Sequence, residues 1–495
     1  MRHSAQSVVV VGAGMAGLAA AIDLATRGVR TTVVEQAAGP GGKMRQVRID
    51  GHSIDAGPTV LTLRSVFDEL FDDAGVALDR YVTLVPARVL ARHAWGPEQR
   101  LDLYPDMERS QEEIARLAGA DEARRFAAFC IEAACIYRTL ERPFLRAPRP
   151  SVLRLTREVG WRRLADLWRI RPFTSLWRAL AGHFRDPRLR QLFGRYATYC
   201  GSSPFESPAT LMLVAHVEQQ GVWFVEGGMY RLALGLERLA RDRGVEFRYG
   251  CAVRELTIDA GRIAGVVLGN ETRLPAQAVV FNGDAQALAS GRLGRDATRA
   301  VRRSSTTARS LSAVTWSLLA RTRGFPLERH NVFFSRDYAR EFADLRRGAL
   351  PTDPTVYVCA QDRPDLADAG PSRERLLCLV NAPATGDGAA PTMQALESCE
   401  RTAFATLERC GLTVERNAGA STTTTPHDFD RLFPGTGGAL YGSASHGWRS
   451  SFSRPDSRSR VPGLFLAGGS VHPGPGVPMA ALSGRLAAAA VLERR

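Results

Sequence analysis

The 495-residue sequence has almost no lysine and lacks the paired motifs of metal and disulfide chemistry. Lys43 is the only lysine, so arginine carries nearly all of the basic charge behind the net charge of +14. The eight cysteines form no Cys-x-x-Cys pair and the nine histidines lack ligand spacing, which predicts reduced thiols and no metal site. No uncharged apolar run reaches about 18 residues, so no membrane-spanning helix is expected.

The arginines are concentrated in one part of the chain. Residues 138–195 hold fifteen arginines against four acidic residues, which accounts for most of the net charge. Trp161, Leu164 and Trp168 recur there at helical spacing, and Trp177 continues the pattern. Such a helix is typical of a lipid surface, with aromatic rings among the headgroups and arginines on anionic lipid. The alternative is an amphipathic helix on the protein's own core. Nucleic acid is not an expected partner, because no recognition module is visible.

The N-terminal sequence has the pattern of a dinucleotide-binding unit. Strands at Val8–Val11 and Thr31–Val34 flank a helix at Ala16–Thr26. The opening run superficially resembles a signal peptide. The glycine pattern and Asp23 favour a strand–turn–helix instead. The order of later segments predicts an α/β fold with a Rossmann-like domain built from discontinuous segments, and a mixed α+β domain in the gaps. The predicted nucleotide domain is 1–90, 220–285 and 455–495, and the second domain is 91–219 and 286–454.

Three glycines between the first strand and the helix make a Gly-x-Gly-x-x-Gly motif. Gly12 permits the tight turn, Gly14 lets a pyrophosphate approach the backbone, and Gly17 lets the helix pack closely on the strand. Glu35 ends the second strand, where a carboxylate can accept hydrogen bonds from ribose hydroxyls. The motif predicts a dinucleotide site, and the alternative is a glycine-rich turn without a ligand.

The sequence after this motif favours FAD over NAD. A glycine doublet followed by lysine resembles the second glycine element of the flavin-containing amine oxidase superfamily. The segment Asp55–Val60 resembles the part of that superfamily that passes the flavin, and 227–240 resembles its central signature. The residues that this resemblance assigns to FAD are Gly41, Gly42, Lys43, Gly57, Pro58, Thr59 and, through its backbone at the adenine, Val253.

Three longer stretches carry a more specific resemblance. Residues 207–229, 433–442 and 454–488 are similar to the phytoene desaturase family of carotenoid oxidoreductases, and with the N-terminal motif they cover essentially the whole chain. Within that family, "DAGPTVLTLRSVFDELF" and "AHVEQQGVW" look most like bacterial methoxyneurosporene (1-hydroxycarotenoid 3,4-) desaturases.

The resemblance implies an FAD-dependent desaturase. It would introduce a C-3,4 double bond into an acyclic 1-hydroxy or 1-methoxy carotenoid, by hydride transfer to flavin N5 and loss of a proton. Its partners would be an apolar C40 substrate, a membrane surface near 138–195, and oxygen or a quinone as electron acceptor. The expected location is the bacterial cytoplasm, peripheral on the inner membrane.

The C-terminal sequence "GSVHPGPGVPMAALSG" is expected to close the flavin site, with bare backbone against the ring and a helix N-terminus aimed at it. Many flavoproteins have Gly-Asp where this chain has two glycines, so that carboxylate ligand is absent here. His472 is a weak candidate for the proton acceptor, and the alternative is a histidine that fixes the turn. The cofactor residues predicted in this segment are Gly468, Gly476, Val477, Pro478 and Met479.

Other functions stay open on the sequence. Phytoene desaturases and carotene isomerases belong to the same family. An amine oxidase usually carries a cysteine for covalent flavin or an aromatic pair near the ring, and "GGSVHPGPG" holds no cysteine. A flavin-free lipid or prenyl binder similar to the Rab GDP-dissociation inhibitors shares the architecture, but the intact glycine motif and Glu35 argue against it.

Overall fold

A computed structural model describes residues 7–148, 173–302, 308–363, 373–448 and 450–493 of the chain. Its centre is a five-stranded parallel sheet, which confirms the predicted α/β class. The strands, in order across the sheet, are Leu464–Leu466, Ala278–Phe281, Ser7–Val11, Arg30–Val34 and Glu246–Arg248. Because these strands come from three separate parts of the chain, the two ends of the sequence meet in one layer. The exact domain bounds stay a prediction.

A second, larger sheet is mostly antiparallel. Its longest strand, Ser312–Arg323, pairs with Glu374–Ala382 from Ser312 to Ala320. The other strands are Ala91–Ala94, Arg100–Leu103, His330–Phe333, Val356–Ala360, Thr413–Glu415 and Ser421–Thr424. The helix Met393–Arg409 covers the sheet, where the ring of Trp316 meets Phe404 edge-on at 5.8 Å between centroids.

Three small sheets join the larger ones. The three-stranded sheet contains Val253–Asp259, Arg262–Leu268 and Arg273–Pro275. A hairpin pairs Gln46–Ile49 with His52–Asp55. A further antiparallel pair joins Leu84–Pro86 to Trp223–Val225, and so connects two of the segments that were predicted to form the nucleotide domain.

Helices surround the sheets. The last helix packs on the first so closely that a Cβ on Gly484 would lie 2.0 Å from the carbonyl oxygen of Ala16. No helix among the described residues is long and apolar enough to cross a membrane. The α-helices among the described residues are Met15–Thr26, Ser65–Asp73, Met107–Ala118, Ala120–Leu140, Leu176–His183, Pro187–Gly194, Leu213–Gln219, Tyr230–Asp242, Ala285–Ala289, Tyr338–Arg346, Met393–Arg409, Pro426–Leu432, Ser450–Ser453 and Val477–Leu492.

The arginine-rich region is only partly described. Trp161, Leu164 and Trp168 lie outside the described residues. Trp177 is half-buried and packs on Phe205 and Tyr338, with centroid distances of 4.8 and 5.9 Å. Part of the Trp177 ring therefore packs within the fold, and its contact with a lipid surface stays a prediction.

Candidate active site

The first glycine turn offers bare backbone to a ligand. Gly12 has a φ of 102°, and a Cβ on Gly17 would lie 2.0 Å from the Gly12 carbonyl oxygen. Gly14 precedes the helix Met15–Thr26 without a side-chain cap, so the N–H groups of the first turn keep their ability to bind an anion. A Cβ on Gly14 would also come within 2.8 Å of Asn282 Nδ2. The turn therefore has the form that a pyrophosphate needs.

Glu35 links this turn to the end of the second strand. The side chain is buried, and its two carboxylate oxygens accept the backbone N–H of Ala13 at 2.7 Å and of Ala37 at 2.8 Å. An ionised carboxylate has about four acceptor positions, so two are left for ribose hydroxyls. The Cys251 N–H donates to the Glu35 carbonyl at 2.9 Å, which brings the start of the Val253 strand beside it.

Asn282 was missed by the sequence analysis. It follows the strand Ala278–Phe281, and its Nδ2 donates to the Gly12 carbonyl at 3.3 Å. Its Oδ1 lies 3.3 Å from the position of a Cβ on Gly468. Because neighbouring parallel strands end at one edge of a sheet, a polar residue directly after a buried strand was the signal available.

The second glycine element packs on the first. Gly41 bridges to Gly14, and a Cβ on Gly42 would lie 3.2 Å from the Gly14 Cα. Gly57 has no room for a side chain either, because its Cβ would lie 2.0 Å from the Lys43 carbonyl oxygen. After Pro58, the Thr59 hydroxyl lies 2.7 Å from the Tyr357 hydroxyl. These predicted residues thus form one layer against the first turn.

Two cationic side chains, the half-buried Lys43 and the buried Arg454, hold the segment that faces this layer. Lys43 Nζ donates to the Leu440 carbonyl at 2.6 Å, and burial lowers the pKa of its ammonium group. Arg454 donates to the carbonyls of Tyr441, Ser443 and Gly469 at 2.8–3.1 Å, and burial lowers its pKa as well. The two side chains fix the 440–443 segment to the closing turn.

The closing turn depends on glycine. Gly468, Gly474 and Gly476 have φ values of 123°, 130° and 118°, which side chains rarely adopt. The last helix begins at Val477 without a side-chain cap, and Pro478 lies in its first turn. Its free N–H groups therefore form a second positive helix end, in addition to that of the first helix near the start of the chain.

An apolar cavity of about 380 Å³ begins at this turn. Phe173, which is 70% exposed, also lines the cavity, and its ring meets Trp448 edge-on at 5.4 Å. The cavity therefore reaches the surface. The turn contributes Pro473, Pro475, Gly476, Val477, Pro478 and Met479, and the other lining residues include Val60, Leu63, Leu140, Phe144, Leu145, Leu211, Leu213, Val214, Val217 and Phe452.

One carboxylate lines this cavity. Glu218 is buried at the end of the helix Leu213–Gln219, and accepts hydrogen bonds from the hydroxyls of Tyr196 and Tyr199, both at 2.6 Å. Arg195 donates to the Tyr199 hydroxyl at 3.1 Å. The sequence analysis did not single out Glu218; its signal was an acidic residue directly after Val217 on a helix that is otherwise largely apolar.

The comparisons with known proteins agree with this architecture. The family described as flavin containing amine oxidoreductase matches residues 15–492. The chain is 55% identical to a hydroxyneurosporene desaturase of Rubrivivax gelatinosus, over 97% of this chain and 92% of the relative. It is 46% identical to one of Cereibacter sphaeroides, over 99% and 98%. A solved oxidoreductase of Methanosarcina mazei has the same fold, with a TM-score of 0.64, 17% identity and coverage of 99% and 100%.

The chain belongs to the flavin-containing amine oxidoreductases and, among them, to the carotenoid desaturases. The predicted family is confirmed, and with it the oxidoreductase class and FAD as the cofactor. The residues present fit that cofactor: the uncapped helix at Gly14 suits the pyrophosphate, and the free acceptor positions of Glu35 suit a ribose. The individual ligand assignments stay predictions.

In this flavoenzyme His472 lies behind the cavity wall. The side chain is only 1% exposed, and it does not line the cavity, although the next residue, Pro473, does. Its ring meets Phe144 edge-on at 5.2 Å. Burial lowers the pKa of the imidazole to about 4, so the ring is neutral at pH 7. Among the residues that the structure covers, no cluster of His, Cys, Asp and Glu could hold a metal.

Proposed function

We propose that the protein desaturates an acyclic 1-hydroxy or 1-methoxy carotenoid at C-3,4 with FAD. The observation that carries the proposal is the apolar cavity, which leads from the predicted flavin-closing turn to the surface. Two relatives of nearly full coverage are named hydroxyneurosporene desaturases, which supports this substrate class.

The walls of the cavity suit a polyene. FAD, when bound, accepts a hydride from the substrate. The protein's part is to position one carbon–carbon bond and to exclude water, and side chains such as Phe144, Leu211 and Val214 do both. The backbone of Gly476 leaves the turn open on the side of the cavity.

A group that accepts the proton is not yet assigned. Cys200 lines the cavity, but burial raises the pKa of its thiol, so it is protonated at neutral pH and cannot act as a base. The His472 imidazole is neutral and could accept a proton, but it lies behind the wall of the cavity. Its assignment as the base therefore needs a movement of the turn, and we favour its role in fixing the turn.

We infer that the enzyme takes its substrate from a membrane surface. Phe173, which lines the cavity, is exposed and its ring contacts the half-buried Trp448, and in the sequence Phe173 directly follows the arginine-rich stretch 149–172. Aromatic rings beside arginines suit anionic headgroups. Flotation with liposomes tests this: binding should be stronger to anionic vesicles, and equal binding to neutral ones would contradict the electrostatic part. The proposed location is the cytoplasmic side of a bacterial inner membrane.

The central experiment is anaerobic incubation of the FAD-loaded protein with candidate carotenoids. With 1-hydroxyneurosporene we expect bleaching of the flavin absorbance and a product with one more conjugated double bond. Turnover of phytoene alone would indicate a phytoene desaturase, and isomerisation without net bleaching a carotene isomerase. A protein that retains no FAD after reconstitution would contradict the proposal. Reoxidation by oxygen or by a quinone then identifies the electron acceptor.

A further inference from the structure

Glu218 is the one carboxylate among the described residues that line the apolar cavity. It is 6% exposed, and a buried carboxylate is costly unless hydrogen bonds satisfy it. A pure hydrocarbon substrate offers no hydrogen bond to a polar group at this position. An explanation is therefore needed for a carboxylate beside Val214 and Val217.

The carboxylate is held by two tyrosine hydroxyls. Tyr196 donates to its Oε2 and Tyr199 to its Oε1, both at 2.6 Å. Burial raises the pKa of both tyrosines, so at neutral pH they are protonated and act as donors. Tyr199 is fixed in turn by Arg195, whose guanidinium donates to the hydroxyl at 3.1 Å and lies 5.0 Å from the ring centroid.

This arrangement leaves acceptor capacity on Glu218. The two tyrosines fill two of about four acceptor positions on a carboxylate. The cavity wall as a whole is largely apolar, so the remaining positions are available to a donor that enters the cavity. Buried polar groups of this kind select a ligand that satisfies them and reject one that does not.

We propose that Glu218, positioned by Tyr196 and Tyr199, binds the tertiary hydroxyl of the substrate's end group as a hydrogen-bond acceptor. This inference rests on the proposed function. In a 1-hydroxycarotenoid, a single methylene separates the carbinol carbon from the bond that is desaturated. The hydroxyl must therefore be bound close to the reacting bond, and Glu218 lines the same cavity as the turn at Gly476.

The inference predicts a preference among substrates. A 1-methoxycarotenoid has no donor for Glu218, and neither has neurosporene, so the carboxylate would stay unsatisfied with either. We expect kcat/KM for 1-hydroxyneurosporene to exceed that for both analogues by at least about tenfold. An analogue that is not turned over is compared by its inhibition constant as a competitor.

The decisive variant is Glu218→Gln in the FAD-loaded enzyme. It removes the charge-assisted bond with little change of volume, so the preference for the hydroxylated substrate should fall at least about tenfold. Flavin content should stay as in the wild type, and kcat/KM should fall more for 1-hydroxyneurosporene than for neurosporene. Asp242→Asn is the matched control, because Asp242 accepts the Tyr81 hydroxyl at 2.7 Å outside the cavity, and it should leave the preference unchanged.

The outcomes separate this inference from the proposed function. An equal loss of kcat/KM on all substrates in Glu218→Gln would indicate a base or a structural group and would overturn it. An unchanged preference, or a wild-type enzyme that does not discriminate, would also overturn it while the desaturase function stands. A flavin-loaded wild type that is inactive on every carotenoid would remove the proposed function, and the inference with it. Where folding is in doubt, retention of FAD by each variant is measured first.

Discussion

The glycine before the last helix allows a quantitative test of the closing turn. Gly476 has φ 118° and ψ 149°, a region that is essentially restricted to glycine. A Cβ there would make only an ordinary van der Waals contact, 3.7 Å from Met479 Cγ. Alanine therefore costs backbone strain alone, about 1–3 kcal/mol of unfolding free energy. Valine should cost more, because its β-branch restricts the backbone further.

Strain at this point should also affect the cofactor. The chain can relieve it only by rotating Gly476, and this shifts Pro475 and Val477, which line the cavity. We expect Gly476→Val to lose FAD or turnover as well as stability. The assay combines urea unfolding, FAD titration by absorbance, and kcat with 1-hydroxyneurosporene.

Gly28→Ala is the matched control for this strain. Gly28 has φ 73° and open space around its Cβ, but it follows the first helix away from the cavity. It should lose about 1 kcal/mol with FAD binding and turnover unchanged. If Gly476→Val kept wild-type stability, flavin content and rate, the turn would be an ordinary loop and the reasoning would be refuted.

Three further predictions follow from the site. Gly17→Ala should weaken FAD binding at least about tenfold in a flavin titration, because its Cβ would lie 2.0 Å from the Gly12 carbonyl oxygen and must push the helix off the strand. His472→Ala should lower kcat by less than about tenfold, and a larger loss would support it as the base. The enzyme should also lose stability as the pH falls from 6.5 towards 4, because the pKa of His472 drops from 6.5 to about 4 on folding, so the unfolded chain binds the proton first. Urea unfolding at pH 5 and pH 7 measures this, and the difference should shrink in His472→Asn.

Much of the fold could be predicted because local patterns were strong. The strand Ser7–Val11 contains four consecutive β-branched valines before a glycine turn, and the helix Met15–Thr26 follows directly. Propensity, turn chemistry and the family motif all agree there. Spacing did not show that Trp177 packs on Phe205 and Tyr338, because it cannot tell whether an aromatic face meets lipid or the protein's own core.

The site residues that were missed have long-range partners. Asn282 meets Gly12, and Glu218 meets Tyr196. No local pattern marks such residues, since their function depends on which strands and helices the fold brings together. Glu218 was even part of the stretch that carried the family resemblance, but its polar role became visible only once the cavity around it was known.

The packing of the first helix against the last explains why the first glycine turn and the closing turn must both be rigid. Gly484 on the last helix approaches the Ala16 carbonyl so closely that any side chain would separate the helices. The uncapped N-termini at Gly14 and Gly476 are therefore fixed relative to one another, one at the predicted pyrophosphate and one at the cavity. A shift of either turn moves the other through this helix pair. Gly484→Ala, remote from the cavity wall, should accordingly weaken both FAD binding and turnover, and a loss of stability alone would show that the two turns act independently.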